Sequence, residues 1–335
     1  MSQVPRIYDP KAQCRKISAF LYDAVEREKI RNIVKMFGYF LYRSMVYEKS
    51  FFLVGNGGNG KGTLIKIIEA FFGKENCSSE SLHTLVSDRF APAELYQKYV
   101  NTFADLKGER LPETGPFKML TSGDRMSAQK KYGKRFQFRN FAKMVYSTNN
   151  PPDLSDNSYA AYRRLVIIPF DKTYEINDTF LADLTSEGEL SGLLNLALKG
   201  WRMLKDDGGF EQESVEKIRQ EYQYRSNNVK QFMDDQCKVD WSDPTCFIKT
   251  DILYEAYREF CKKLALRALE FNIFGSNLSQ FGVVNKQRRI KDQNGRKERF
   301  YIGIDLKDQD SKKTIEEIIV QASKAKPPET PETGP

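Results

Sequence analysis

The feature that most restricts the fold is a change of period at residue 51. Phe51-Phe52-Leu53-Val54 is an unbroken apolar run, and it stops at Gly55-Asn56-Gly57-Gly58-Asn59-Gly60-Lys61-Gly62-Thr63. Beyond the loop, Leu64, Ile65, Ile67 and Ile68 return at helical spacing. A buried strand, a glycine loop and a helix, in that order, open an α/β domain. Glycines let backbone N–H groups turn inward around phosphate oxygens, and the following helix aims its positive end at them. Lys61 stands where a side chain reaches the β- and γ-phosphates. The loop departs from G-x-x-x-x-G-K-[ST] at one place: Gly62 follows the lysine, and the hydroxyl comes one residue later, on Thr63. The segment predicts a site for ATP with Mg²⁺, in which Thr63 either reaches a phosphate or shares in holding the ion.

Further apolar runs read as buried strands: Val100 to Leu106, Phe136 to Phe138, Met144 to Tyr146 and Leu165 to Ile168. Three of them carry polar residues suited to phosphate chemistry. Tyr99-Val-Asn-Thr-Phe-Ala-Asp105 ends in an acid that can hold Mg²⁺ or orient water, with Glu109 as a possible partner. Met144-Val-Tyr-Ser-Thr-Asn149 ends in an amide able to hydrogen-bond a γ-phosphate or an attacking water. Arg163-Arg164 precedes the last run, and an arginine at a subunit edge can stabilise charge on a neighbour's nucleotide.

Around this block, residues 1–48 are expected to form a small helical region. Ile17, Phe20, Leu21 and Val25, then Ile30, Ile33, Val34, Phe37, Phe40 and Leu41, recur at three and four. The ATPase-like block spans 49–210, closing with a helix near Leu190 to Leu204 and a boundary at Asp206-Asp207-Gly208-Gly209. A connecting helix covers 211–228. From 229 to 306 the pattern is helices followed by a hairpin: a helix over Ile252 to Leu264 capped by Thr250-Asp251, a shorter one around Asn277 to Phe281, then two strand-like arms about Asn294-Gly295. That is a winged-helix pattern. Its arms carry Lys286, Arg288, Arg289, Lys291, Arg296, Lys297 and Arg299, cations suited to phosphate. Residues 307–335 are charged, then Pro-rich, and are expected to be disordered.

Composition narrows the function. Lys and Arg number 53 against 45 acids, a net charge of +8 that favours a polyanionic partner. The five cysteines are odd in number and lack C-x-x-C spacing, so they read as reduced thiols in a cytoplasmic protein. A single histidine, His83, argues against catalysis at paired-histidine metal sites. There is no apolar run of membrane-spanning length and no signal peptide, which predicts a soluble protein with no membrane partner.

Four blocks, in order, resemble the superfamily 3 helicases, a branch of the AAA+ ATPases, and within them the helicase half of phage- and plasmid-encoded primase-helicase replication proteins. The blocks are Gly55 to Lys61, Lys118-Met-Leu-Thr-Ser-Gly-Asp124-Arg-Met-Ser-Ala128, Ser147-Thr-Asn149-Asn-Pro151, and Arg163-Arg164-Leu-Val-Ile-Ile-Pro-Phe170. The resemblance implies an AAA+ parallel-sheet fold, with Lys61 as Walker A lysine, Asp105 as Walker B acid and Asn149 as sensor. Arg164, less surely Arg163, becomes the arginine finger. It also implies a hairpin gripping single-stranded DNA, here Gln129 to Arg135 with Lys130, Lys131, Tyr132, Lys134 and Arg135, and Phe136 to Phe138 returning. A ring, usually a hexamer, acting on single-stranded and forked DNA follows from the same source, as does 3′→5′ movement. So does a primase, as an upstream domain or partner. Two other readings stay open: an ATP-switched, origin-binding initiator that melts or marks DNA without processive unwinding, and a P-loop kinase of small molecules. The basic hairpins argue against the second.

Overall fold

The computed structural model describes residues 3–111, 113–154, 156, 158–172, 178–211, 214–243, 245–264, 266–289, 297–310 and 312–315. The chain divides into two compact units, Met1–Ser226 and Asn227–Pro335.

In the first unit, α1 (Arg15–Ala24) and α2 (Arg27–Leu41) lead into β1 (Ser50–Val54), which the glycine loop joins to α3 (Lys61–Phe72). A short strand β2 (Cys77–Ser78), helix α4 (Leu82–Ser87) and strand β3 (Val100–Phe103) follow. Next come α5 (Gly115–Ser122), a hairpin of β4 (Arg125–Gln129) and β5 (Arg135–Arg139), and β6 (Lys143–Thr148). The unit ends with α6 (Tyr159–Tyr162), β7 (Leu165–Pro169), α7 (Asp178–Leu184), α8 (Glu187–Asp206) and α9 (Val215–Ser226).

Five strands form one parallel sheet in the order β2-β3-β6-β1-β7. Every residue of β1, β6 and β7 is buried, as expected where helices cover both faces of a parallel sheet. The period of two sorts them between two cores. Phe51, Leu53, Val145, Val166 and Ile168 join one apolar cluster with α1, α2, α3 and α8. Phe52, Val54, Met144, Tyr146, Leu165 and Ile167 join another, which includes Phe117 of α5 and Tyr222 of α9. The unbroken apolar runs therefore have a cause: both faces of each strand are interior.

The N-terminal helices share the first core with the sheet. Helices α2 and α8 touch backbone to backbone. A Cβ placed on Gly38 would lie 2.2 Å from Trp201 N, and one on Gly200 would lie 2.0 Å from Val34 O. Phe136 to Phe138 is a strand, but in the separate β4–β5 hairpin, not in the parallel sheet. Among the described residues no helix is long and apolar enough to cross a membrane, and all five cysteines are free.

The second unit runs α10 (Asn228–Gln236), β8 (Cys237–Val239), β9 (Phe247–Lys249), α11 (Thr250–Lys263), α12 (Phe271–Gln280), β10 (Val284–Arg289), β11 (Lys297–Ile302) and β12 (Ile304–Leu306). Strands β10, β11 and β9 make a three-stranded antiparallel sheet, and β12 pairs with β8. Helix α11 begins at Thr250 with Lys249 at its N-cap position, so Thr250-Asp251 is first turn, not cap. Helix α12 starts six residues before the expected Asn277. Its Phe274 and Leu278 supply the buried face, and the polar Asn272, Ser276 and Ser279 around them masked the period in the sequence. The expected turn at Asn294-Gly295 and the tail from 316 onward lie outside the described residues.

Candidate functional site

Strand β1 ends between its two neighbours, and the glycine loop turns over that carboxyl end of the sheet, where open α/β sheets place their ligands. Gly55 must be glycine because a Cβ there would meet Phe170 O at 2.1 Å and Asn59 Nδ2 at 2.4 Å. Gly60 has φ +91°, left-handed backbone that glycine adopts without strain. Gly57 and Gly62 face open space. Asn59 is buried and joins two parts: its Nδ2 donates to Phe170 O at 2.6 Å, and its Oδ1 accepts from Lys61 Nζ at 3.0 Å.

Lys61 opens α3 and is buried. Its ammonium donates to Gly55 O, to Asn56 O at 3.0 Å and to Asn149 Oδ1 at 3.3 Å. Burial pulls its pKa down to about 8, opposed by the charge of Asp105. Two segments separated in the sequence thus meet at one ammonium group, and the charge of Asp105, on a third, is felt there. Strand pairing is the cause: β6 lies between β1 and β3, Gly55 N–H donates to Thr148 O at 3.3 Å, and Leu106 N–H donates to Ser147 O at 2.8 Å. Strand β3 stops at Phe103, so Asp105 is exposed, two residues past the strand end. Glu109 stands further along the same exposed loop, and its carbonyl accepts from His83 Nε2 at 2.8 Å. Thr63 is half-buried in the first turn of α3. Among the described residues no group of three or more His, Cys, Asp or Glu could hold a metal ion by itself. A divalent ion here would draw its oxygens from Thr63, Asp105 and a phosphate together.

Arg163 and Arg164 lie at the other end of the sheet, before the first residue of β7. Ser50 N–H donates to Arg164 O at 2.8 Å, which sets the pair level with the start of β1. Five residues of strand, roughly 16 Å, separate that level from the glycine loop. The two side chains differ. Arg164 is buried: Nε donates to Thr121 Oγ1 at 3.0 Å, Nη1 to Ala160 O, and Nη2 pairs with Glu48 at 3.1 Å. Arg163 is more exposed, 38% against 8% for the side chains, and pairs with the same carboxylate. Glu48 holds both while in left-handed backbone, φ +51°. The buried Lys49 donates to Arg163 O, and its pKa falls to about 8 through burial and then the two arginines. Packing separates the two arginines: Arg164 is interior and held by three partners, and Arg163 is the more exposed of the two.

Residues of β4 and β5 alternate in burial, with Met126, Ala128 and Phe138 inward and Arg125, Ser127, Arg135, Gln137 and Arg139 outward. Tyr96 packs on Phe136 and Phe138 to anchor the hairpin base. Lys130, Lys131, Tyr132, Lys134 and Arg135 are exposed at the tip, where Tyr132 is 94% exposed with φ +62°. Arg125 and Arg139 stand directly opposite each other. Like charges so placed repel. Neither was singled out in the sequence, although strict alternation from Met126 and Phe138 would have put both on the outer face. Lys118, in contrast, is tied to Asp156 by an ion pair that holds the carboxyl down to about 2.

In the second unit, Arg288, Arg289 and Lys297 occupy strand positions, with Arg288 opposite Glu298 and Arg289 opposite Lys297. Lys286 and Arg299 are exposed. Lys291 and Arg296 lie outside the described residues.

Residues 53–164 match a family of unknown function, DUF5906. The fold is similar to the C-terminal region of NrS-1, at 11% identity and a TM-score of 0.49, over 90% of this chain and 78% of that one. A second structure of that region gives 12% identity and 0.47. JCV helicase is similar at 15% identity and 0.35, over 65% of this chain and 64% of that one. Fold and site define a class: a parallel α/β sheet with a glycine-rich loop at its carboxyl edge.

Proposed function

We propose that this chain is an ATP-driven motor of the replicative-helicase type, acting on single-stranded and forked DNA. One observation carries the reading. The Lys61 ammonium sits within hydrogen-bonding reach of Asn149 and in the field of Asp105, so three of the motif positions that resemble superfamily 3 converge. In this reading Lys61 leaves its carbonyl partners for the β- and γ-phosphates, and the glycine loop supplies backbone N–H groups. Asp105 and Thr63 would hold the Mg²⁺ that accompanies ATP, whose charge would offset that of the phosphates. Asn149 orients the γ-phosphate or the attacking water.

The arginine pair supports assembly. At roughly 16 Å of strand from its own Lys61, Arg163 cannot serve the nucleotide of its own protomer and would serve a neighbour's. That agrees with a ring, a hexamer by the resemblance, in which the hairpin tips face the strand. The outward arginines and tip lysines supply phosphate contacts, and Tyr132 a stacking surface. The opposed Arg125 and Arg139 lose their mutual repulsion when a polyanion lies between them. The second unit, by its order of helices and hairpin, is read as a winged helix that adds nucleic-acid contacts, and a primase domain or partner completes the replication setting.

Strand displacement from a forked duplex with ATP and Mg²⁺ tests the reading. Wild type should unwind, and Lys61→Ala should lose unwinding and hydrolysis by at least roughly 10²-fold, as expected when a group stabilising transition-state charge is removed. DNA-stimulated hydrolysis without unwinding would favour the ATP-switched initiator. Absence of both from wild type would sink the motor reading.

A further inference from the structure

Trp241 stands in the loop between β8 and β9 and is 55% exposed. One side of its ring covers two glycines that flank the strands of the hairpin. A Cβ on Gly303 would meet Trp241 Cε3 at 2.2 Å, and one on Gly282 would meet Cζ2 at 3.6 Å. The described residues of the loop that carries it are tied by hydrogen bonds. Asp240 Oδ1 accepts from Ser242 N at 3.0 Å and Asp243 N at 3.2 Å, Asp243 Oδ1 accepts from Thr245 N at 2.8 Å, and Asp240 N donates to Gly303 O at 3.0 Å. A large aromatic ring is thus packed on one side and left half in solvent, an arrangement that lowers the ordering cost of stacking something on it.

Next to it, Val284 is 48% exposed and pairs with Ile302, the residue before Gly303. The period of two then places the exposed Lys286 on the same face of β10 as Val284. The aromatic ring thus stands beside a strand whose outer face begins with an aliphatic and then a cationic side chain. Helix α12, Phe271–Gln280, offers the contrast: its ten residues contain no charged side chain. A helix without cations lacks the charged phosphate contacts that supply most duplex affinity, whereas stacking beside a cation suits unpaired bases.

We infer that Trp241, with Val284 and Lys286, forms a binding site for single-stranded nucleic acid on the strand side of the second unit. Trp241 stacks on a base, and Lys286 takes an adjoining phosphate. The inference rests on the nucleic-acid reading above, but it is independent of the ATP site, so nucleotide-free binding tests it separately.

The chain has two tryptophans. Trp201 stacks on Tyr42 at 4.3 Å, so Trp201→Phe keeps a ring there and isolates Trp241. In that background, oligothymidylate should quench Trp241 emission and a blunt duplex of equal length should not. Trp241→Ala should weaken oligothymidylate binding by roughly 5- to 100-fold, Trp241→Phe should retain most of it, and DNA-independent ATP hydrolysis should stay unchanged. Lys286→Gln should weaken binding and flatten its salt dependence, and it provides a check if Trp241→Ala does not fold. Unchanged Trp241 emission at saturating oligothymidylate overturns the inference. So does equal quenching by duplex, which would return recognition to a groove. Loss of unwinding in Lys61→Ala with no Trp241 response would leave the motor standing and this site refuted.

Discussion

At the scale of single residues, the glycine after Lys61 sets the most informative test. Gly62 faces open space, so a side chain enters without collision. Gly62→Ser supplies the hydroxyl that the loop lacks and removes a helix glycine. The expected outcome is a nucleotide affinity raised about 5- to 10-fold with Mg²⁺ and unchanged with EDTA, the worth of roughly one polar contact. Titration of a fluorescent ATP analogue measures it; an equal gain in both conditions would contradict a metal-linked role. Lys61 gives a second prediction. Its pKa in the free protein is about 8, lowered first by burial, and a bound phosphate raises it. Binding therefore takes up a proton above pH 8, and affinity should fall as pH rises from 8 toward 10, up to about tenfold per unit. Affinity that is flat across that range would mean that Lys61 stays protonated in the free protein. Lys61 and Asn149 were legible because a motif fixes the residue type. Asn59 as a tie to Phe170, and Glu48 as the shared partner of two arginines, were not: each role depends on a contact more than 100 positions away in sequence. Neighbouring arginines look alike in a sequence, and only packing sends Arg164 inward.

At the scale of elements, the strands were the most readable part because burial on both faces fills the middle of β1, β6 and β7 with unbroken apolar runs, leaving polar residues to the strand ends. The α2–α8 contact was not readable. Gly38 and Gly200 are interior helix glycines, residues that the helix itself disfavours. Their reason is the opposite backbone, 2.0–2.2 Å from where a Cβ would stand. Gly200→Ala should force the helices apart and destabilise the first unit by about 3 kcal/mol, the upper part of the range for overpacking. Thermal unfolding should register this as a drop of roughly 6–12 °C. An unchanged midpoint would show that the helices slide without cost. Gly62→Ala, with space for its methyl group, is the matched control.

At the scale of the whole molecule, the two ends of the parallel sheet have different chemistry. One end carries Lys61, Asn149 and Asp105, the other Arg163, Arg164 and Glu48. If Arg163 acts on a neighbour's nucleotide, mixing should expose it. Lys61→Ala chains retain the arginines and Arg163→Ala chains retain the phosphate loop, so equal mixtures of two inactive variants should regain hydrolysis at shared interfaces. Recovery to a measurable fraction of wild type is expected, and its complete absence would confine catalysis to one chain. The second unit was legible as helices followed by a hairpin, but the hairpin turn itself lies outside the described residues. The separation along β1 and β7 has a further consequence. Under the proposed roles, a chain that holds the fuel at one pole and the trigger at the other would be silent when alone, so dilution would act as an off switch and turnover per chain would become a count of company, set by the length of a five-residue strand.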